Sequence, residues 1–195
     1  MQAPSTTSSS NTTHSYPDFS ALPDAQTLYA DLLRQIRSHY ADAATSGSTR
    51  KLAVVGIHSG GAWLAQRLAK DLLVEELGFV DVSFYRDDYA ARGLHPTVKP
   101  SQINFSVEGA QILLVDDVLV TGRTTRAALN ELFDYGRPAC VKLAALLDRG
   151  GRELPISADF VAASVTVPAH QSLQLRQSED GQLSLSLATA PVDHA

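Results

Sequence analysis

The sequence predicts an α/β fold: a doubly wound parallel sheet followed by a C-terminal β-hairpin. Three observations carry this reading. Short, continuous apolar runs alternate with segments of helical period, as strands buried on both faces alternate with the helices that cover them. Each apolar run opens into a polar loop containing Gly, Asp or Arg. Towards the end the pattern changes to two short alternating segments around Glu179-Asp-Gly181, the mark of a hairpin.

The elements follow in chain order. Residues 1–22 begin with a Ser/Thr/Asn-rich stretch without apolar period and read as a disordered tail. A helix opens at Pro23-Asp24, with Asp24 as its cap and Leu28, Leu32, Leu33, Ile36 and Tyr40 at helical spacing; it ends before Thr45-Ser-Gly-Ser-Thr49. Lys51-Leu-Ala-Val-Val-Gly-Ile57 is too short for a helix and reads as a central strand. His58-Ser-Gly-Gly61 leads into a helix over 62–77, with Leu64, Leu68, Leu72 and Leu73 on one face. Asp81-Val-Ser-Phe-Tyr85 alternates as the next strand and closes on Arg86-Asp-Asp-Tyr89. Residues 90–107 have Gly, two Pro, His and Lys but no steady period, and form a long loop of the kind that closes over active sites. Ile112–Val115 is the third strand and Thr124–Tyr135 its helix, with Gly136 past its end and Pro138 as the stop. Strands over 139–147 and 159–163 enclose a polar loop, and the hairpin pairs 172–175 with 183–187. The domain therefore spans 23–188, with 189–195 a second disordered tail.

Composition narrows the function. The 195 residues are 44% hydrophobic and 19% charged, an ordinary globular balance. The net charge of −5 does not suggest a nucleic-acid binder. A single cysteine, Cys140, excludes a disulfide within the chain, reads as a buried packing residue and suits a reducing cytosol. No apolar run approaches the roughly 20 residues of a transmembrane helix, and the N-terminus lacks a signal peptide's pattern. The expected location is cytoplasmic.

The chemistry concentrates in Ile112–Arg126. A buried strand runs into the pair Asp116-Asp117, then into Thr121-Gly-Arg-Thr-Thr125 at a helix N-terminus. Backbone N–H groups and the positive end of the helix dipole bind phosphate at such a loop. Two adjacent carboxylates repel each other unless hydroxyls, N–H groups or a cation compensate, and they suit ribose hydroxyls or a hydrated Mg²⁺. A solvated strand end with Thr124 as a cap is the plainer reading, and the Gly- and Thr-rich loop weighs against it. The Gly-Lys-Ser/Thr of a Walker loop is missing. The loops 58–61, 86–88, 116–125 and 148–152 all follow strands and so converge on one edge of the sheet. His39, His95 and His170 have no metal-ligand spacing, and Trp63 reads as packing or interface.

The stretch Ile112–Arg126, with Val115-Asp-Asp-Val-Leu-Val-Thr-Gly-Arg-Thr-Thr125 at its centre, resembles the phosphoribosyl pyrophosphate (PRPP) signature of type I phosphoribosyltransferases. With Val55-Gly-Ile-His-Ser-Gly-Gly61, Tyr85-Arg-Asp-Asp88 and Leu147-Asp-Arg-Gly-Gly-Arg-Glu-Leu-Pro155, the chain from about Asp24 to Leu187 resembles the PyrR family of pyrimidine-operon regulators and uracil phosphoribosyltransferases. The resemblance implies a type I phosphoribosyltransferase fold with a small hood, and transfer of phosphoribose from PRPP to uracil, giving UMP and pyrophosphate. It gives Asp116 and Asp117 the ribose 2′- and 3′-hydroxyls. It makes Val120, Thr121, Gly122, Arg123, Thr124 and Thr125 the 5′-phosphate cradle, and Ser59, Gly60 and Gly61 the pyrophosphate loop. Arg86 acts with Asp116 and Asp117 in catalysis. Mg²⁺ is held by Asp116, by Asp117 through water, and by Asp87. Asp148, Arg149 and Arg152 line the uracil pocket. A homodimer or larger homo-oligomer is implied as well.

Two departures bear on the family's other activity, a UMP- or PRPP-sensing hold on pyrimidine-operon mRNA. Gly60 stands where Lys-Thr-Arg-Gly of regulatory relatives has a cation, and Ser157 and Ala163 stand where two further cations would be. An RNA face would fall to Arg34 and Arg37, with Arg137 and Lys142. Loss of those cations and the acidic charge argue against it. The competing readings are a nucleotide-sensing RNA-binding regulator with little catalysis and a purine phosphoribosyltransferase; residues 148–155 speak against the latter.

Overall fold

A computed structural model describes residues 22–45, 51–82, 101–168 and 171–189. The chain forms α1 (Ala25–Thr45), β1 (Leu52–Ile57), α2 (Gly60–Leu72), β2 (Glu76–Val80), β3 (Gln111–Leu119), α3 (Arg123–Asp134), β4 (Cys140–Asp148), β5 (Phe160–Ser164), β6 (Gln171–Gln177) and β7 (Leu183–Thr189). β2-β1-β3-β4-β5 make one sheet, and β6-β7 make a separate antiparallel hairpin. All four pairings in the sheet are parallel.

Side chains alternate across the strands, and this sorts the core into two layers. Leu113 and Val115 of β3 face one side, where Leu32 and Ile36 of α1, Leu64 and Leu68 of α2, and Leu173, Leu175 and Leu183 of the hairpin meet them. Ile112 and Leu114 face the other side, against Ala127, Ala128 and Leu132 of α3. Helices on both faces of a parallel sheet make the fold doubly wound, as expected. Asp24 caps α1: its carboxylate accepts from the Thr27 N–H and the Thr27 hydroxyl, both at 2.8 Å. Those bonds hold the Asp24 carboxyl below its usual range. Among the described residues no helix is long and apolar enough to cross a membrane.

The expected second helix and second strand need correction. α2 stops at Leu72, because Leu73 takes a left-handed conformation with φ 56° and sends its N–H back to Lys70. Leu73 is 90% exposed and does not share the buried face of Leu64 and Leu68. The strand then comes earlier than expected, at Glu76–Val80, bonded to β1 on one side and bridged to Gln102 through Phe79 on the other. Asp81 and Val82 lie past its end, and 83–85 lie outside the described residues. β3 also runs further than expected, to Leu119, so Asp116 and Asp117 sit within the strand. Leu22 packs on the core, and Thr189 pairs with Gln171. Cys140 is exposed at the start of β4, against the expectation of burial.

Candidate functional site

The strand order reverses between β1 and β3: the chain leaves β1 for the edge strand β2, then crosses back to β3. A crevice opens beyond the strand ends at such a switch point. Here two helices begin on that edge, α2 at Gly60 after β1 and α3 at Arg123 after β3, and each points its positive dipole end at the same place.

β3 brings Asp116 and Asp117 to this edge at 4% and 9% exposure. Two carboxylates so buried require compensation. Part comes from the backbone, with the Asp117 N–H donating to Asp116 Oδ1 at 3.0 Å. Part comes from α2: the Asp117 carboxylate lies directly against Gly60, the helix's first residue. A Cβ built on Gly60 would stand 2.5 Å from Asp117 Cγ, so no side chain fits there unless Asp117 moves. Gly61 is equally constrained, against the Val115 carbonyl. With glycine in place of the relatives' cation, the Asp117 carboxylate and the start of α2 come into direct contact. Ser59 is exposed beside them, after a cis His58–Ser59 peptide bond.

Beyond β3 the chain turns at Gly122, with φ 91°, into α3. Only glycine adopts that conformation without strain. The first turn of α3 places Thr125 at 2% exposure with its hydroxyl oxygen buried and without a hydrogen-bond partner. An orphaned buried hydroxyl costs free energy that a ligand oxygen would recover. It borders a cavity of about 170 Å³, lined by Asp116–Gly122, Thr124 and Thr125 on one side and by Arg149, Ser172 and Leu173 on the other. The lining offers two carboxylates, hydroxyls, backbone groups at a helix N-terminus and one guanidinium, the set that suits a sugar phosphate.

Of the residues predicted for the site, Asp116, Asp117, Val120, Thr121, Gly122, Thr124, Thr125 and Arg149 share that cavity, with Gly60 against Asp117 and Gly61 against β3. Arg123 is exposed and turns away, its guanidinium paired with Glu153 at 2.5 Å. Asp148 and Arg152 stand behind the cavity, paired with each other at 2.5 Å. Arg86 and Asp87 lie outside the described residues, as does most of the long loop. Ser172 and Leu173 were not predicted. They come from the hairpin, and no local motif marks them. Three of the four proposed RNA contacts are engaged locally: Arg34 pairs with Asp31 at 2.5 Å, Arg37 donates to the Asp71 carbonyl at 2.6 Å, and Lys142 pairs with Asp159 at 2.9 Å.

Comparison with known proteins shows the family and the fold. The family model for the phosphoribosyl transferase domain matches residues 20–173. The chain is 52% identical over 158 residues to the bifunctional protein PyrR of Ralstonia nicotianae, covering 81% of this chain and 88% of the relative. It is 45% identical to the bifunctional protein PyrR of Nitrosococcus oceani, covering 84% and 95%. Among solved structures, an HPRT in which an invariant aspartic acid is replaced by glutamic acid matches with a TM-score of 0.57 at 25% identity, over 77% of this chain and 82% of that one. An HGPRT-ase from Leishmania tarentolae in complex with GMP shares the fold, with a TM-score of 0.56 at 18% identity over 77% and 83%.

Proposed function

The chain belongs to the PyrR family and carries its phosphoribosyl transferase domain, and we propose that it transfers phosphoribose from PRPP to uracil, forming UMP and pyrophosphate. One observation carries the assignment of the site: the buried, unpartnered hydroxyl of Thr125 in the first turn of α3, downstream of two buried carboxylates. That is a phosphate socket with ribose-binding groups beside it.

The chemistry follows from the parts. Uracil N1 displaces pyrophosphate at C1 of the sugar through a transition state in which the ribose gains positive charge and the leaving group negative charge. Asp116 and Asp117 hold the ribose hydroxyls and favour the developing cation. The N–H groups of the 120–125 loop, with Thr124 and Thr125, hold the 5′-phosphate. The N-terminus of α2, after Ser59, faces the pyrophosphate. Arg149 borders the base, with Asp148 behind it paired to Arg152, and Arg86 adds positive charge at the leaving group. The Asp116 and Asp117 carboxylates in the cavity lining fit Mg²⁺, a hard cation commonly held by one or two carboxylates with substrate phosphates and water. Asp116, Asp117 through water and Asp87 would hold it, and when bound it neutralises charge on the departing pyrophosphate. The catalytic domain spans 23–188, works as a homodimer or larger assembly, and suits the reducing cytoplasm.

The test is a spectrophotometric assay with PRPP, Mg²⁺ and a panel of bases. Turnover of uracil supports the proposal, and turnover of hypoxanthine without uracil overturns it. A second reading draws on the relatives' being bifunctional: the same site would sense UMP while the protein regulates pyrimidine genes by holding operon mRNA. A gel shift with the operon leader, with and without UMP, tests it, and the absence of a shift at micromolar protein and low salt refutes it.

A further inference from the structure

We propose that Arg152 is a positioning residue for the 5′-phosphate, tying down the back of the phosphate loop, and is not a contact to the base. The inference rests on the reading of 120–125 as a phosphate cradle.

Arg152 is spent entirely on the protein around it. Its Nε donates to the Ile156 carbonyl at 2.9 Å. Its Nη1 donates to the Val120 carbonyl at 2.5 Å and the Leu119 carbonyl at 3.4 Å. Its Nη2 donates to Asp148 Oδ2 at 2.5 Å. Asp148 in turn accepts from the Gly150 N–H at 2.8 Å, which fixes the carboxylate that holds the guanidinium. A planar, always-charged fork of donors suits this work, and a lysine could reproduce only part of it.

The neighbouring backbone pulls the same way. The Arg149 N–H donates to the Leu119 carbonyl at 2.9 Å, and the N–H groups of Glu153 and Leu154 donate to the Thr121 carbonyl at 3.0 and 3.2 Å. The carbonyls of 119, 120 and 121 are thus all drawn towards the 149–156 segment. In a trans peptide the carbonyl of one residue and the N–H of the next point in opposite directions. Drawing those three carbonyls back turns the N–H groups of Val120, Thr121 and Gly122 the other way. Those three residues border the cavity, whereas Arg152, Glu153 and Leu154 do not. Gly122 is pressed on the same segment, with Ile156 Cβ 3.2 Å from where its own Cβ would be. The strap therefore aims three donors at an anion before any ligand arrives, and this is the preorganisation that oxyanion sites need.

The strap also places the two ligand ends on one short segment. Arg149 borders the cavity, while Arg152, three residues on, holds the phosphate loop.

The experiment compares wild type, Arg152→Met and Arg152→Lys by the KM values for PRPP and for uracil, and by calorimetric titration with UMP. Losing the charge-assisted bonds to the loop is expected to raise the KM for PRPP and the Kd for UMP about tenfold in Arg152→Met. The KM for uracil at saturating PRPP stays as in wild type, and Arg152→Lys recovers part of the loss. A rise in the uracil KM with PRPP unaffected overturns the proposal, because it makes Arg152 a base contact. No change in either constant, or a rise in both, overturns it as well. If Arg152→Met does not fold, Arg152→Lys carries the test on the same two constants. A wild-type protein that binds neither PRPP nor UMP would instead refute the phosphate cradle itself.

Discussion

Replacing Thr125 by valine should make the protein more stable and its ligand binding weaker. Valine has nearly the shape of threonine, so packing at this 2%-exposed position is kept. What disappears is a buried hydroxyl without a partner. Such a group costs about 1–3 kcal/mol in the free protein. Taking the lower end gives a gain of about 1 kcal/mol, or a rise in Tm of about 2–4 °C for a domain of this size. With a phosphate bound, the same hydroxyl makes a hydrogen bond to a charged oxygen, worth about 1.5–3 kcal/mol. Its loss raises the Kd for UMP about 10- to 150-fold. Thermal melting without ligand and calorimetric titration with UMP read the two effects separately. A valine variant that melts lower and binds UMP as well as wild type would refute the reasoning, because Thr125 would then be satisfied within the protein and absent from the ligand site.

Other outcomes follow from the same geometry. Gly60→Ala should lower kcat/KM by about a hundredfold, since the new Cβ displaces Asp117 and a shift near 1 Å at a reacting centre costs that much; wild-type kinetics in this variant would show that Asp117 has room to spare. Asp24→Ala should lower the Tm at neutral pH by removing the cap of α1. The Asp24 carboxyl is lowered in the folded state by its bonds to Thr27, so its contribution is present above the ordinary carboxylate pKa and lost as pH falls through the lowered one. The Tm difference between wild type and variant should therefore shrink as the pH is lowered into the acid range, and a difference that grows with acidity would contradict the assignment.

Much of this was legible in the chain, for identifiable reasons. β1, β3 and β4 are buried on both faces of a parallel sheet, so their apolar runs stand out against flanking polar loops. The 116–125 stretch was legible because strand, loop and helix start are contiguous. The second helix misled because nothing in Leu72–Leu77 breaks a helical pattern. Its end is set by Leu73 turning left-handed, and the strand that follows is set by pairing with β1 and Gln102, which only the folded chain supplies. Arg152 lies in the segment read as the base hood, and its bonds to the Val120 and Ile156 carbonyls carried no sign in the sequence, which shows that a cation is near a site and not which carbonyls it meets. Ser172 and Leu173 reach the cavity from the hairpin across more than forty residues, a tertiary approach that carries no local sign.

The account stands most directly on PRPP binding at Asp116–Thr125. Calorimetric titration of Mg²⁺–PRPP into wild type, Asp117→Asn and Thr124→Ala tests it. The predicted result is one site per chain in wild type and a clear loss of affinity in each variant, with all three proteins folded. Equal affinity in all three would contradict the placement of the phosphoribosyl group at this loop.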